Sequence, residues 1–299
     1  MLRLVGMPPR LQALLEFELP AAPQQVDELP PGLGSTEGFR VHTPAGRFLL
    51  LCSTAPLGLA FEATLFDLLA EARFPAPRPR RARGGSLVAR LQAPDGGTAA
   101  AACYAWPPGE TRDPATATVP QLLEVGRLLA RLHQLAETHP AAVADPLAGA
   151  ALAGRLPQHA AAPALAAVLS PGLPQLPSGA AHGSLGPSRA LFLGDRCSAL
   201  LPGGRACSTA LVLDLAEAVA AWALHPPRRT SALRAIVSGY QGLRRLAQEE
   251  AAALFPALRH AAAREGARRL LAGEPEPLLP LLSIDELGEA EVRAAAGAR

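Results

Sequence analysis

The side chains with catalytic potential in this chain of 299 residues are concentrated between residues 181 and 214. Ser184 lies in the run His-Gly-Ser-Leu-Gly, which only approximates the Gly-x-Ser-x-Gly of a nucleophilic serine, and no strand-to-helix turn is predicted after it. The histidines include no His-Glu-x-x-His pair. The scattered cysteines lack zinc-binding spacing; they are Cys52, Cys103, Cys197 and Cys207. The sequence therefore gives no support for a serine hydrolase or for a zinc site.

Two segments carry a more informative pattern. They read AHGSLGPSRALFLGDRCSAL over residues 181–200 and ALVLDLAEAVAAWAL over 210–224. The first resembles the catalytic loop of the aminoglycoside phosphotransferase superfamily, His-Gly-Asp-Leu-x-Pro-x-Asn followed by a strand, a turn and a strand. The second resembles the homoserine kinases of that superfamily, where a helix with Asp-Leu-Ala and a tryptophan follows the metal-binding strand. The similarity extends over most of residues 30–275 and includes Gly-x-x-Leu-Ala-x-Leu-His at 126–133.

The resemblance keeps the scaffold residues of the loop but not its chemical groups. The residues that match are His182, Gly183, Leu185 and Pro187. Ser184 stands at the position of the family's catalytic aspartate, and Arg189 at that of its metal-binding asparagine. Pro202 stands where the next strand would supply a second metal-binding aspartate. The chain has no lysine and no asparagine, so a shifted register cannot restore either residue type.

These replacements affect each requirement of phosphoryl transfer, which needs positioned phosphates, metal ions and a carboxylate base. The hydroxyl of Ser184 is too weak a base near neutral pH, and general-base catalysis contributes about 10²–10⁴-fold. Magnesium prefers oxygen ligands, whereas arginine has no acceptor atom. Arg189 would repel magnesium, although its charge would suit a phosphate. The resemblance therefore predicts a kinase fold without an intact catalytic set.

An alternative register makes Asp214 the metal ligand, because Leu-Val-Leu-Asp-Leu over 211–215 also resembles the family's metal-binding strand. Residues 201–208 would then be an inserted hairpin tip. The gap-free register instead places Asp214 at the N-terminal end of a helix, where a carboxylate is favourable to the helix dipole. Asp195 is a second displaced acid that a working kinase would have available. Both registers stay open here, with the helical one favoured.

The sequence carries only weak signals for the nucleotide-binding elements that the resemblance implies. The glycine-containing loop is 31–38, in which Gly34, Ser35 and Thr36 are the candidate phosphate contacts. Tyr104 and Trp106 fall on the family's hinge, where backbone groups meet adenine and the rings could stack on a base. Glu62 lies near the position of a helix glutamate that pairs with a lysine in other members. With no lysine present, we predict that Glu62 is solvated.

The fold predicted from this resemblance is α+β and bilobal, protein-kinase-like, with a small β-rich N-terminal lobe at 1–108 and a larger helical C-terminal lobe at 109–299. Periodicity predicts the individual elements. Helices are predicted at 8–19, 58–73, 121–135, 231–246, 249–272 and 285–296, with proline-broken helices over 139–178, and strands at 39–42, 47–52, 86–91 and 98–106.

Composition places the chain among globular proteins: 49% of residues are apolar and the net charge is +2. A net charge this small gives no reason to expect binding to nucleic acids or to membranes. No signal peptide or membrane span is evident, and reduced cysteines fit a cytoplasmic location. We therefore predict a homoserine kinase-like protein that is catalytically inactive and binds a ligand or an unknown protein partner. The alternative is an active kinase of homoserine or another small amino alcohol, for which ATP and Mg²⁺ would be the cofactors.

Overall fold

The structure is a computed structural model that describes residues 9–29, 36–93, 95–139, 143–145, 148–224 and 228–297. It confirms the predicted fold class, a β-rich N-terminal part followed by a helical C-terminal part. The strands of the N-terminal lobe are β1 (Gln25–Glu28), β2 (Thr36–Thr43), β3 (Gly46–Ser53), β4 (Ala89–Gln92) and β5 (Thr98–Ala105). Among the described residues they form one antiparallel sheet in the order β1-β2-β3-β5-β4.

Helices cover both faces of this sheet, which explains why β3 is a continuous apolar run rather than an alternating one. Helix α1 (Pro9–Glu16) packs on one face, and helix α2 (Pro56–Glu71) packs on the other. Successive side chains of a strand point to opposite faces. Accordingly Leu50 contributes to the cluster beneath α1, whereas Leu49 and Leu51 contribute to the cluster beneath α2.

The C-terminal lobe is mainly helical. Its helices are α3 (Val119–Leu135), α4 (Gly149–Ala153), α5 (Ala162–Leu169), α6 (Leu211–Ala223), α7 (Arg229–Gln241), α8 (Gln248–Leu271), α9 (Leu279–Leu287) and α10 (Glu289–Ala296). Its strands are β6 (Ser178–Ala181), β7 (Ala190–Leu193), β8 (Arg196–Leu200) and β9 (Cys207–Ala210), and β6 pairs with β9 while β7 pairs with β8. The large apolar core lies between α3, α6, α7 and α8.

Two glycines set the distance between α3 and α7. A Cβ on Gly126 of α3 would lie 1.9 Å from the carbonyl oxygen of Ile236 on α7. Reciprocally, a Cβ on Gly239 of α7 would lie 2.1 Å from the carbonyl oxygen of Leu123 on α3. Any side chain at either position would separate the two backbones. This close approach brings His133, at the end of α3, against the α6–α7 side of the core.

The predicted hairpin, helices and strands are confirmed in kind and order, with differences at the ends. The first helix ends at Glu16 rather than continuing to residue 19, and Phe17 is buried beneath the sheet. The single helix predicted over 285–296 is wrong: α9 and α10 are separate because Gly288 has φ of 81°, which a helix cannot continue through. In the described part of the chain, no helix is both long and apolar enough to cross a bilayer.

Candidate functional site

The catalytic-loop segment connects β6 to β7 and is fixed by its backbone. Gly183 follows β6 with φ of 73°, a conformation that favours glycine. A Cβ at Gly183 would also lie 2.2 Å from the carbonyl oxygen of Arg205, so the segment packs directly on the loop between β8 and β9. A turn of 3₁₀ helix, Pro187–Arg189, then directs the chain into β7. The retained residues His182, Gly183 and Pro187 are therefore those that shape this segment.

Asp214 anchors the segment from the first turn of α6. Its Oδ2 accepts hydrogen bonds from the backbone N–H of His182 at 2.8 Å and from Nε2 of His133 at 3.0 Å. Its Oδ1 accepts from the backbone N–H of Gly183 at 2.9 Å. The side chain is 1% exposed. Both oxygens of Asp214 are thus engaged within the C-terminal lobe, where they hold the loop in place.

The anchor belongs to a larger buried polar network. The hydroxyl of Tyr240 donates to Nδ1 of His133 at 2.7 Å, and the same oxygen accepts from Arg244 at 3.0 Å. Burial raises the pKa of Asp214, but the hydrogen bond from His133, the electrostatic influence of both histidines and the amide of Gly183 outweigh it, so the pKa lies below its usual value. The ionised carboxylate is therefore the form that this network stabilises.

Ser184, Arg189 and Pro202 lie together at one corner of the loop. The Arg189 Nη1 donates to the Pro202 carbonyl at 3.3 Å, and the Leu201 N–H donates to the Arg189 carbonyl at 2.8 Å. A Cβ at Gly203 would lie 2.2 Å from Ser184 Oγ and 3.6 Å from Arg189 Nε. The structure therefore brings together the three positions at which the family resemblance expects the base and the metal ligands. Asp195 lies elsewhere, in the β7–β8 turn, where it accepts from the Thr118 hydroxyl at 2.8 Å.

This corner does not fit a magnesium ion. Magnesium requires oxygen donors in near-octahedral geometry, usually including one or two carboxylates. The corner supplies a hydroxyl, a carbonyl that already accepts from Arg189, and a guanidinium that has only donors. Over the described ranges, no group of three or more histidine, cysteine, aspartate or glutamate side chains is arranged to hold a metal. The donor chemistry here suits an anion rather than a cation.

The solvated position predicted for Glu62 is wrong. Glu62 lies on α2 with 0% exposure, and its carboxylate accepts hydrogen bonds from four consecutive backbone N–H groups of the β8–β9 loop. The donors and distances are Gly203 at 3.3 Å, Gly204 at 2.8 Å, Arg205 at 3.0 Å and Ala206 at 3.2 Å. Burial raises the pKa of Glu62, and the amides of Gly204, Ala206 and Arg205 and the charge of Arg189 oppose that shift. A ring of amides replaces the absent lysine as the partner of this glutamate.

The candidate nucleotide contacts are only partly described. Gly34 and Ser35 lie outside the described residues. Thr36 begins β2, and its hydroxyl donates to the Gly204 carbonyl of the opposite lobe at 3.3 Å. Tyr104 is fully buried in an apolar cluster that also contains Leu191 and Leu201 of the C-terminal lobe. Trp106 carries the guanidinium of Arg40 over its ring at 4.3 Å. Tyr104 and Trp106 therefore engage groups of the chain itself.

A cavity of about 570 Å³ opens beside the Ser184–Arg189 corner. It extends between the loop, α6, α8 and α9, and it is rich in arginine. The arginines that line it are Arg189, Arg205, Arg229, Arg264, Arg268 and Arg269. The sequence did not predict that these arginines converge. They come from three separate parts of the chain, namely 189–205, α7 and α8, and no local pattern marks a shared cavity.

His182 gives the site a pH-dependent stability. Burial lowers the pKa of His182 from its usual 6.5 to about 4; Arg189 and Arg205 act in the same direction, against Asp214 and the Leu201 carbonyl. His182 Nε2 donates to that carbonyl at 3.0 Å. Above about pH 6.5 the imidazole is neutral in both the folded and the unfolded chain. Below about pH 6.5, His182 becomes protonated in the unfolded chain while it stays neutral in the folded chain. Proton binding therefore stabilises the unfolded chain, and the free energy of unfolding falls as the pH drops towards 4.

We therefore expect the free energy of unfolding to fall between pH 7 and pH 4.5 by about 2 to 3 kcal/mol from His182 alone. His182→Gln should remove that part of the decline, as measured by urea unfolding at the two pH values. His260→Gln is a matched control, because burial also lowers the pKa of His260 to about 4 at a site outside the loop. The His260→Gln variant should still show the part of the decline in unfolding free energy that is due to His182. Equal declines in the parent protein and in His182→Gln would contradict the assignment.

Comparison with known proteins supports the fold described above. A family model described as the phosphotransferase enzyme family matches residues 28–271. A homoserine kinase of Rhodopseudomonas palustris (strain BisB18) is 32% identical over 247 residues, which cover 76% of this chain and 73% of that protein. Among solved structures, an amicoumacin kinase in complex with AMP-PNP and Ca²⁺ has a TM-score of 0.72 at 13% identity, covering 95% of this chain and 92% of that one. A microcompartment-associated aminopropanol kinase has a TM-score of 0.60 at 18% identity, covering 96% and 92%.

Proposed function

Because the chain belongs to the phosphotransferase enzyme family and is related to homoserine kinases, we propose that it is a pseudokinase of that type, which binds a ligand or partner without transferring phosphate. The proposal concerns the chemistry of the site, since the fold and the family are those of working enzymes. Its ligand would lie in the cavity beside the catalytic-loop segment, which is where the chain offers both space and charge.

The observation that carries the proposal is the side-chain set of the Ser184–Arg189 corner. Ser184 offers no carboxylate to take a substrate proton, and a missing general base costs about 10²–10⁴-fold in rate. Arg189 has no acceptor atom, and the Pro202 position offers only a neutral backbone carbonyl, which accepts from Arg189, where a metal site needs a carboxylate. Without metal to neutralise the phosphates, the second requirement of phosphoryl transfer also fails.

The alternative is an active ATP-dependent kinase of homoserine or another small amino alcohol, with Asp214 as a displaced metal ligand. Homoserine kinase relatives and an aminopropanol kinase neighbour favour that substrate class. The position of Asp214 argues against the role, because its two oxygens already accept two backbone N–H groups and His133. Binding a metal there would require breaking the anchor of the loop itself.

Purified protein with Mg²⁺ and ATP should show no phosphate transfer to homoserine or 1-amino-2-propanol above the background rate. A coupled ADP-release assay measures this directly, with a homoserine kinase relative as the positive control. Kinases of this mechanism turn over at about 1–100 s⁻¹. Magnesium-dependent turnover in that range would refute the proposal, whichever carboxylate supplied the base.

A further inference from the structure

The cavity beside the catalytic-loop segment has the size and lining of a small-molecule site. Its volume of about 570 Å³ lies within the usual range of about 300–1,000 Å³ for such sites. One wall is apolar and is formed largely by α6, through Ala220, Ala221 and Leu224. The polar part of the lining includes Ser184, the six arginines and the carboxylates of Glu217 and Glu265. A ligand with a charged head and a short organic body would match this division.

The arginines of the cavity differ in whether the protein itself neutralises them. Within the described residues, five of the six contact a carboxylate. The pairs are Arg205–Glu217, Arg229–Glu286, Arg264–Asp145 and –Glu217, Arg268–Glu265 and –Glu274, and Arg269–Glu265. Arg189 forms no such ion pair, and its hydrogen bond is to the neutral carbonyl of Pro202. One positive charge therefore remains uncompensated by direct contact at the Ser184 corner.

Further donors at the same corner have no acceptor within the described residues. Ser184 Oγ is buried and makes no hydrogen bond, and neither does Nε of Arg205. Both residues line the cavity together with Arg189. Buried donors without partners are costly, at about 1–3 kcal/mol each, so this arrangement points to an acceptor that the protein does not supply.

We propose that this corner binds the phosphate group of a small phosphate monoester without a metal ion, through Arg189, Arg205 and the hydroxyl of Ser184. The inference rests on the proposed function, since it assigns the ligand of a site that does not transfer phosphate. The organic part of the ester would lie along the apolar wall of α6. The charge of Arg189 would replace the metal ion that the family resemblance expects beside a phosphate.

A phosphate monoester suits these groups better than an amine or a monocarboxylate. Its three terminal oxygens can accept from Arg189, Arg205 and the Ser184 hydroxyl, and its negative charge would be balanced first by Arg189, the cavity arginine without an ion pair among the described residues. An amine would add positive charge beside Arg189. Burial lowers the pKa of Arg189, as does the nearby charge of Arg205, against Glu62, so the cationic guanidinium gains from a bound anion.

Isothermal titration calorimetry in EDTA tests the proposal with O-phosphohomoserine, phosphoethanolamine, inorganic phosphate, homoserine and succinate as probes. We expect at least one phosphate ester to bind with a Kd below about 1 mM, and homoserine and succinate to bind at least about tenfold more weakly. Arg189→Gln should weaken ester binding at least about tenfold, and Ser184→Ala about three- to tenfold. Binding of inorganic phosphate alone would assign the corner to free phosphate, and failure of both esters to bind would overturn the ester assignment.

The control is Arg127→Gln, which removes an exposed arginine that pairs with Glu124 on α3 outside the cavity. It should leave the Kd unchanged. Circular dichroism of each variant checks that it is folded, and Ser184→Ala provides a second test if Arg189→Gln is not. Ester binding that requires Mg²⁺, or that survives both corner substitutions unchanged, would overturn the inference. These outcomes concern ligand binding and not phosphate transfer. The proposed function is therefore tested separately, by the ADP-release assay.

Discussion

Replacing Asp214 with asparagine should lower the free energy of unfolding by about 3 kcal/mol. An asparagine can place its carbonyl oxygen towards His182 and His133, but its amide nitrogen then faces the backbone N–H of Gly183. Two donors would oppose each other at 1% exposure, where water cannot relieve the conflict. The loss of the buried negative charge also weakens the hydrogen bond that His133 donates at this position. Urea unfolding at pH 7 measures the change.

Asp285→Asn is the matched control for this substitution. Asp285 forms an ion pair with Arg259 in which both side chains are well exposed, and such pairs contribute about 0–1 kcal/mol. The contrast between the two variants separates a buried anchor from a surface charge. If Asp214 were instead a metal ligand facing an open cleft, Asp214→Asn would leave stability nearly unchanged, and that outcome would contradict the anchoring role.

Replacing Glu62 with alanine should release the β8–β9 loop. The four N–H groups of residues 203–206 would lose their acceptor in a buried setting, each at a cost of about 1–3 kcal/mol if unsatisfied, although water entry would recover part of it. We expect a net loss of about 3 kcal/mol in the free energy that keeps this loop closed. That corresponds to hydrogen exchange about 10²-fold faster at these amides, measured by mass spectrometry under native conditions.

Glu71→Ala is the control for this second substitution, because Glu71 lies on the same helix and forms an exposed ion pair with Arg78. It should leave exchange at residues 203–206 at the parent rate. Unchanged exchange in Glu62→Ala would show that the loop is held by its other contacts, such as the bond between Thr36 and the Gly204 carbonyl. The proposed phosphate corner adjoins this loop, so ester binding should also be examined in the variant.

From the sequence by itself, the family resemblance implied the fold, and local patterns predicted most of its elements. The apolar run of β3 and the periodicity of α3 act through neighbours along the chain, whereas Gly126 acts through close contact with the backbone of α7, which only the structure shows. The sequence also established which chemical groups are absent, since a chain without lysine or asparagine cannot provide them at any position. Gly288 was the exception, where one residue with positive φ divided a helix that periodicity predicted as continuous.

Only the tertiary structure decided what the remaining charged groups do. Glu62 occupies a helical position in register with Leu59 and Phe66, yet its partners are backbone amides more than 140 residues later, and backbone donors leave no trace in a sequence. The sequence favoured a helix position for Asp214 but left a strand ligand open, and only the structure shows the His182 and Gly183 amides converging on it. The arginine cavity likewise exists only once α6, α8 and the loop are packed together. Burial and hydrogen-bond partners set the role of an ionisable side chain, and both are properties of the folded chain.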